Sequence, residues 1–424
     1  MNLRLVNLNG LGALNSGSLR TVNEALVLNL IRERRPISRV EIARTTGLKE
    51  STISSIVKKL LEQDLIVETD FGDSGGGRRP LMLDLKRDRS RTVGVDLGCH
   101  RTIIGVSDFS GQLVGHKSLL TSPDPAIFLR ELADAIEQTI AEFVPPSMPI
   151  EGIGFCMPGL MDPEEGRIIY AANLDWHDVA VGAYMRKRFH HDLFYEDNVR
   201  CAGLAAVWFG SLNDLKHGSA IVLVVDEGIG CALIIDGHLY RGATLGAGQA
   251  GHISIDRDGP SCRCGNRGCW ETLAGHGATL ARYNNKTNSA VTSIARLIEH
   301  MRQGDAAATE AIRQTSRYLG EGIAVLVNLL NPELLILDSS LTEAWPEIES
   351  EIQVVLTQRT LKENRESLIL SPSPMGSKTT LSGAISLVLC RNFAVARGGN
   401  SNTSKSAART STPRRPVAYQ QVRT

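Results

Sequence analysis

The segment from Gly248 to Glu271, GQAGHISIDRDGPSCRCGNRGCWE, constrains the fold more than any other stretch of the chain. It sets His252 ten residues ahead of a Cys262-x-Cys264-x4-Cys269 cluster and ends on Glu271. Zn²⁺ favours four tetrahedral ligands drawn from thiolates and imidazole, and a Cys3His set fills that sphere completely. Gly265 and Gly268 let the backbone turn tightly enough for three sulfurs to converge. The spacing therefore predicts a structural Zn²⁺ site made by His252, Cys262, Cys264 and Cys269, rather than three chance cysteines or a disulfide with a spare thiol. A closed site does no chemistry of its own, so the segment reads as a brace for whatever lies beside it.

A chain of 424 residues, 42% hydrophobic and 5% aromatic, can bury two or three ordinary cores. It holds no run of 18 apolar residues, and its first twenty lack a signal peptide's unbroken apolar core. The expectation is a cytoplasmic protein with no membrane partner. Eight cysteines in such a chain fit metal ligation and buried thiols better than disulfides, with Cys156, Cys201, Cys231 and Cys390 set among small or apolar neighbours as core. The net charge of zero conceals an asymmetry: residues 1–91 hold 16 basic against 11 acidic side chains, 92–390 hold 23 against 35, and 391–424 hold 7 against none. A basic head on an acidic body predicts a polyanion partner for the head.

After an N-terminal arm (1–20), residues 21–91 read as a winged helix-turn-helix. Thr21 to Arg34 carries a helical apolar stripe stopped by Pro36. Ser38 caps a short second helix with Glu41 completing a capping box, and Thr46-Gly47-Leu48 makes the turn. A third helix opens near Lys49 or Ser51 and buries Ile53, Ile56, Val57, Leu60 and Leu61. Such a helix enters the major groove by its N-terminal half. Lys49, Glu50, Ser51, Thr52, Ser55 and Lys59 form its polar face, suited to base edges and phosphates. Two short strands follow, around Ile66 to Thr69 and Leu81 to Leu83, joined by a Gly-rich tip bearing Arg78 and Arg79, as a wing into the minor groove requires.

The body opens with a strand, Thr92 to Gly98, then Ile103 to Asp108 and a turn at Gly111. With the zinc stretch, the Gly-Arg-Arg-Pro of the wing and Asn173-Leu174-Asp175-Trp176, these strands resemble the ROK family of repressors, open reading frames and sugar kinases over residues 21–396. The resemblance implies an α/β chain: a winged helix-turn-helix head on a two-lobed, actin-like (ribonuclease H-like) ATPase fold of ROK type. One lobe would span 92–205 with 378–396 and the other, with the zinc site, 206–377; 397–424 would be a disordered basic tail. No internal sequence repeat is visible.

Measured against the family's kinases, the nucleotide side is altered. Their Asp-x-Gly-Gly-Thr-Lys loop reads Asp96-Leu97-Gly98-Cys99-His100-Arg101 here, and their Gly-Thr-Gly-x-Gly run reads Asp226-Glu227-Gly228-Ile229-Gly230, with two carboxylates where a phosphate would sit. The Gly-Gly that follows their Asn-Pro-Glu-Leu is replaced after Leu337 by Asp338-Ser339-Ser340. The sugar side is better kept: Asn173 matches a hydroxyl-binding Asn, Gln249 stands in a Glu-x-Gly-His segment that also supplies His252 as a sugar contact and zinc ligand, Glu271 matches a sugar-binding carboxylate, and the Asn198 amide can hold a hydroxyl. The kinases' general base in Glu-Asn-Asp-Ala-Asn falls on Asn198, an amide without useful basicity, while Asp197 is expected to point to the opposite strand face. Trp176 is expected to pack its loop. The expected whole is a non-enzymatic, sugar-responsive regulator, a homodimer or dimer of dimers on a palindromic operator, relieved by a sugar or sugar phosphate. The competing expectation is a sugar kinase with a DNA-binding head.

Overall fold

The computed structural model describes residues 16–71, 79–171, 173–209, 212, 215 and 217–393. Helix α1 (Ser16–Arg34) begins five residues before the apolar stripe does. Its first turn carries no hydrophobic periodicity, and an Arg20–Glu24 pair at 3.2 Å bridges the turns that follow. After β1 (Ile37–Ser38) comes α2 (Arg39–Thr46), where the capping box closes both ways: Glu41 N donates to Ser38 Oγ at 3.2 Å and Ser38 N to Glu41 Oε2 at 2.9 Å. Gly47, at φ +72°, ends α2 as only a residue tolerant of the left-handed region does cheaply. Then follow α3 (Glu50–Glu62), β2 (Ile66–Phe71) and β3 (Leu81–Leu85), with β3 between β1 and β2 in one small sheet. Ile42, Ile53, Val57 and Leu83 are fully buried under that sheet and its helices. The wing tip, including Arg78, and the basic tail predicted from 397 lie outside the described residues.

The body is built on two sheets. The first uses β4 (Arg91–Leu97), β5 (Arg101–Asp108), β6 (Leu113–Leu120), β7 (Ile150–Met157) and β11 (Leu193–Asp197) in the order β11-β7-β4-β5-β6. Between these strands lie α4 (Pro125–Phe143), a small sheet of β8 (Leu160–Asp162), β9 (Arg167–Ala171) and β10 (Trp176–Val179), and α5 (Val181–Arg188). Helix α6 (Asn198–Trp208) leads away from β11. The second sheet uses β12 (Ala220–Val225), β13 (Ile229–Ile235), β14 (His238–Tyr240), β15 (Leu334–Asp338) and β16 (Ile369–Pro372) in the order β14-β13-β12-β15-β16. It is backed by α7 (Trp270–Ala274), α8 (His276–Thr287), α9 (Ile294–Arg302), α10 (Ala306–Leu330), α11 (Trp345–Arg359) and α12 (Lys362–Ser367).

Both sheets run third-second-first-fourth-fifth in their own strand order, three antiparallel strands continued by two parallel ones. The fold is therefore internally duplicated, although the sequence shows no repeat. Strand pairing is made by the backbone, and buried apolar residues of similar volume exchange freely, so topology outlives sequence likeness. The last helix, α13 (Thr379–Phe393), returns to the first sheet and lies across β4 and β7. Gly154 permits that approach: a Cβ there would stand 2.0 Å from the Ala384 carbonyl oxygen. No described helix is long and apolar enough to cross a membrane.

Candidate functional site

The four residues expected to bind a metal converge. Their ligand atoms all lie within 4.8 Å of one another, with Cys262 Sγ 3.7 Å from His252 Nδ1 and Cys264 Sγ 3.6 Å from Cys269 Sγ. A tetrahedral ion with metal–sulfur bonds of about 2.3 Å separates its ligands by roughly 3.8 Å, so the donor set fits without rearrangement. Local backbone geometry explains the convergence. Cys262 N bonds Asn266 O at 2.8 Å, Gly268 N bonds Pro260 O at 2.7 Å, and Gly268 sits at φ +60° with the Asp256 carbonyl oxygen 1.5 Å from where a Cβ would be. Burial, then its neighbours Cys264 and Cys262, push the Cys269 thiol up to about 12, whereas the Asn266 N–H holds the Cys264 thiol below its ordinary value. The convergence of three sulfurs and one imidazole is what allows the cluster to bind a metal ion. Cys156, Cys201 and Cys231 are buried free thiols, as expected; Cys390 is free and half-buried.

Segments that carry the residues expected on the sugar side reach the turn between β12 and β13. Glu271 Oε2 accepts from Ile229 N at 3.3 Å, and Val199, next to Asn198, packs against Gly230. Gln249 is exposed at the start of the 3₁₀ turn Ala250–His252, held to β13 because Cys231 N donates to Gly248 O at 2.8 Å. Asn173 approaches from the first lobe, where its exposed side chain lies beside Cys99, whose thiol also feels Asp226 and Glu227. His252 turns Nδ1 toward Cys262, so the metal cluster claims that face of the ring. Trp176 packs its loop, donating to Pro123 O at 2.8 Å beside Phe128.

Asp197 does point elsewhere than Asn198, but the reason differs from strand alternation. It caps α6, accepting from Arg200 N at 2.8 Å and pairing with the Arg200 guanidinium. Arg200 also binds Glu196 Oε1 at 2.7 Å and the Leu245 carbonyl at 2.7 Å, while Arg241 reaches Glu196 Oε2 at 3.0 Å. This buried charge network ties the end of β11 to the loop after β14, and sequence reasoning missed it. Its signal was present: Arg200 occupies the last position of the kinases' Glu-Asn-Asp-Ala-Asn.

On the nucleotide side Asp226, Asp96 and Asp338 are held by partners from this chain. Asp226 Oδ1 pairs with His276 Nδ1 at 2.9 Å, which keeps the carboxyl below its usual range, and His276 Nε2 meets Ser339 Oγ at 3.0 Å. Thr380 Oγ1 donates to Asp96 at 2.6 Å and Thr379 Oγ1 to Asp338 at 2.9 Å. Burial pushes the Asp338 carboxyl up to about 6, against hydrogen bonds from Thr379 and Ser373. A carboxyl whose folded value lies above its unfolded value of about 4 binds its proton more tightly when folded. Its contribution to stability is therefore present at acid pH and is lost as pH rises from about 4 through about 6. Asp338→Asn is expected to raise the unfolding free energy measured in urea near neutral pH by up to ~3 kcal/mol, and with it the midpoint, and to lose that advantage at about pH 4. Equal midpoints for the two proteins near neutral pH would contradict it.

On the head, Lys49, Glu50, Ser51 and Ser55 are exposed along α3 and Thr52 is half-buried. Lys59 differs from expectation: its Nζ folds back onto Glu24 Oε2 of α1 at 2.6 Å, and Lys58 and Ser54 are exposed in its stead. An ion pair across 35 residues leaves no local pattern by which to find it. The first turn of α3 receives no side-chain cap, since Lys49 offers no acceptor. Arg79 is exposed where β3 begins.

Residues 92–391 match the model of the ROK family and residues 20–79 that of the MarR family. The chain is 32% identical over 372 residues to the xylose repressor of Bacillus spizizenii, covering 88% of this chain and 96% of that one. It is 29% identical over 382 residues to the N-acetylglucosamine repressor of Escherichia coli O6:H1, covering 87% and 93%. Among solved structures, a ROK family transcriptional regulator described as a homolog of the E. coli MLC protein superposes with a TM-score of 0.74 at 24% identity over 89% of this chain and 97% of that one. A ROK family glucokinase from Streptomyces griseus, in complex with glucose and AMPPNP, gives 0.61 at 24% identity over 70% and 99%. These structures share the fold, and the family match spans more than half of the sequence: the chain belongs to the ROK family.

Proposed function

We propose that the protein is a sugar-responsive, DNA-binding transcriptional repressor without sugar-kinase activity. The observation that carries the reading is the split at the cleft. Asn173, Asn198, Gln249 and Glu271 offer hydroxyl-binding groups, while Asp226 and Glu227 stand where an ATP phosphate would sit and Asp338 replaces part of the kinases' second Gly-Gly. The exposed polar face of α3, joined to Arg78 and Arg79 of the wing, is the surface for DNA, and Lys58 is added to it in place of Lys59. The relatives named as xylose and N-acetylglucosamine repressors support the same assignment. In this reading Zn²⁺ is the ion of the Cys3His cluster and a purely structural one. The lobes divide near residue 205 and 378–396 rejoins the first, two copies bind a palindromic operator, and the protein acts in the cytoplasm.

The test is fluorescence anisotropy with duplexes from the upstream region of the protein's own gene and its neighbours. The expected result is saturable binding to one duplex, weakened at least about tenfold by one sugar among D-xylose, D-glucose, N-acetyl-D-glucosamine and their phosphates. Binding to none of the duplexes would end the proposal. Arg79→Ala should weaken binding and reduce the slope of log affinity against log salt by about 0.9 with metal content unchanged; an unaltered slope would remove Arg79 from the phosphate contacts. ATP with the same sugars should release no ADP above background, because Asn198 cannot accept the hydroxyl proton.

A further inference from the structure

Two side chains on α1 fasten the head to the body, one helical turn apart. Asn29 Nδ2 donates to the Phe393 carbonyl at 2.9 Å, and the Arg32 guanidinium donates to the Trp208 carbonyl while stacking 4.7 Å over the Trp208 ring. Both are buried, at 7% and 5% exposure. Trp208 is the last residue of α6, where free carbonyls and the negative end of the helix dipole favour a cation. Phe393 is the last described residue of α13, and its ring lies 4.8 Å from Trp208 and 5.5 Å from Phe109. Ile31, Leu83, Trp208, Ile385 and Leu389 belong to one continuous core, so head and body share a hydrophobic interior.

The other ends of the same two helices lie in the cleft. Helix α6 begins at Asn198, capped by Asp197 and locked by Arg200 to Glu196 and Leu245. The first turn of α13 is held by one carboxylate from each sheet, Thr380 by Asp96 of β4 and Thr379 by Asp338 of β15. Any change in the angle between the lobes pulls those two carboxylates apart or together and must displace that turn. The helices cannot yield separately, because they touch backbone to backbone: a Cβ on Gly383 would stand 2.0 Å from the Cys201 carbonyl oxygen. Close-packed elements of this kind shift as rigid bodies.

We propose that Asn29 and Arg32 are the positioning residues through which the paired helices α6 and α13 transmit lobe arrangement from the cleft to the DNA-binding head. The inference rests on the sugar-responsive reading and names its route. Two arrangements of the lobes set two placements of α1, and with it of α3, so a sugar that favours one arrangement changes the fit of paired heads to an operator. Coupling of this kind is reciprocal, so releasing the head must be felt at the cleft.

That reciprocity gives a test needing no ligand: hydrogen exchange by mass spectrometry on the full chain. Arg32→Met, which keeps an unbranched apolar stem without the guanidinium, is expected to speed exchange about tenfold in residues 16–34 and also in 197–203 and 379–384, the cleft ends. Arg32→Lys should restore most of the protection. Asn29→Ala serves as a second variant should Arg32→Met not fold. Faster exchange confined to the head and the last turns of α6 and α13 would show plain anchoring and overturn the relay. Calorimetry with D-xylose, D-glucose and N-acetyl-D-glucosamine then separates the two ideas. A sugar that binds should alter α1 exchange in the wild type and not in Arg32→Met, while binding that leaves α1 unaltered in both overturns the relay. If none of the sugars or their phosphates binds, the sugar-responsive reading fails, and the exchange comparison still decides the relay.

Discussion

Replacing Cys264 by Ser is expected to strip the metal cluster from about one ion per chain to less than a tenth, and to abolish sugar response with it. A serine hydroxyl does not supply the thiolate that a soft tetrahedral site requires, and three remaining ligands leave the sphere open. The structural cost is set by what the loop holds. Cys269 is the N-cap position of α7, and the next residue, Trp270, is fully buried, donates to Tyr318 O at 2.8 Å and packs on Gly322 of α10. Losing the ion therefore loosens a core position of the second lobe as well as a surface loop. Apparent Zn²⁺ binding energies of about 10–16 kcal/mol in small zinc domains bound the effect from above. A brace inside a large lobe recovers only part of this, and a loss of about 3 kcal/mol, or roughly 6–12 °C in melting temperature, is expected. The sugar side suffers because Glu271 follows Trp270 directly and bonds Ile229 N, and because His252 ends the turn that begins at Gln249. Metal analysis, thermal unfolding and calorimetry on one preparation check all three. Full sugar binding in a metal-free Cys264→Ser protein would refute the brace.

The parts of this molecule that were legible in its sequence are those governed by local rules. The Ser38–Glu41 box, the Gly47 stop, the buried stripe Ile53-Ile56-Val57-Leu60 of α3 and the Cys3His loop each follow from spacing within a few residues, and each is in place. Opaque features depend on contacts between distant segments. Lys59 pairs with Glu24, 35 residues away, and His276 with Asp226 and Ser339, about fifty and sixty residues to either side, separations that leave no local pattern. Arg200 was legible in principle as an odd residue in a family motif, yet its role needed the Leu245 carbonyl from the loop beyond β14. The duplicated sheet order was hidden for another reason: Val93-Gly94-Val95-Asp96-Leu97 and Ile221-Val222-Leu223-Val224-Val225 do the same work with different side chains.

Gly383→Ala gives the sharpest contrast between sequence and structure. By helix propensity alone, alanine in the interior of α13 should stabilise the protein by about 1 kcal/mol. The structure reverses the sign. An added Cβ would lie 2.0 Å from Cys201 O, 2.3 Å from its carbonyl carbon and 2.8 Å from its Cα, all backbone atoms that no rotamer change removes. Nor can α13 back away, since on its other side the Ala384 carbonyl already sits where a Cβ on Gly154 of β7 would be, 2.0 Å off. Overpacking between two backbones ranks among the larger effects of single substitutions, and a loss of at least about 3 kcal/mol is expected. Gly277→Ala is the control: in α8 its Cβ meets only Glu227 Oε2 at 3.4 Å, and the change should be neutral or slightly stabilising. Thermal unfolding of the two variants by circular dichroism decides the matter. Gly383→Ala melting with the wild type would mean that α6 and α13 can part, and a helix pair that parts cannot carry a signal to the head.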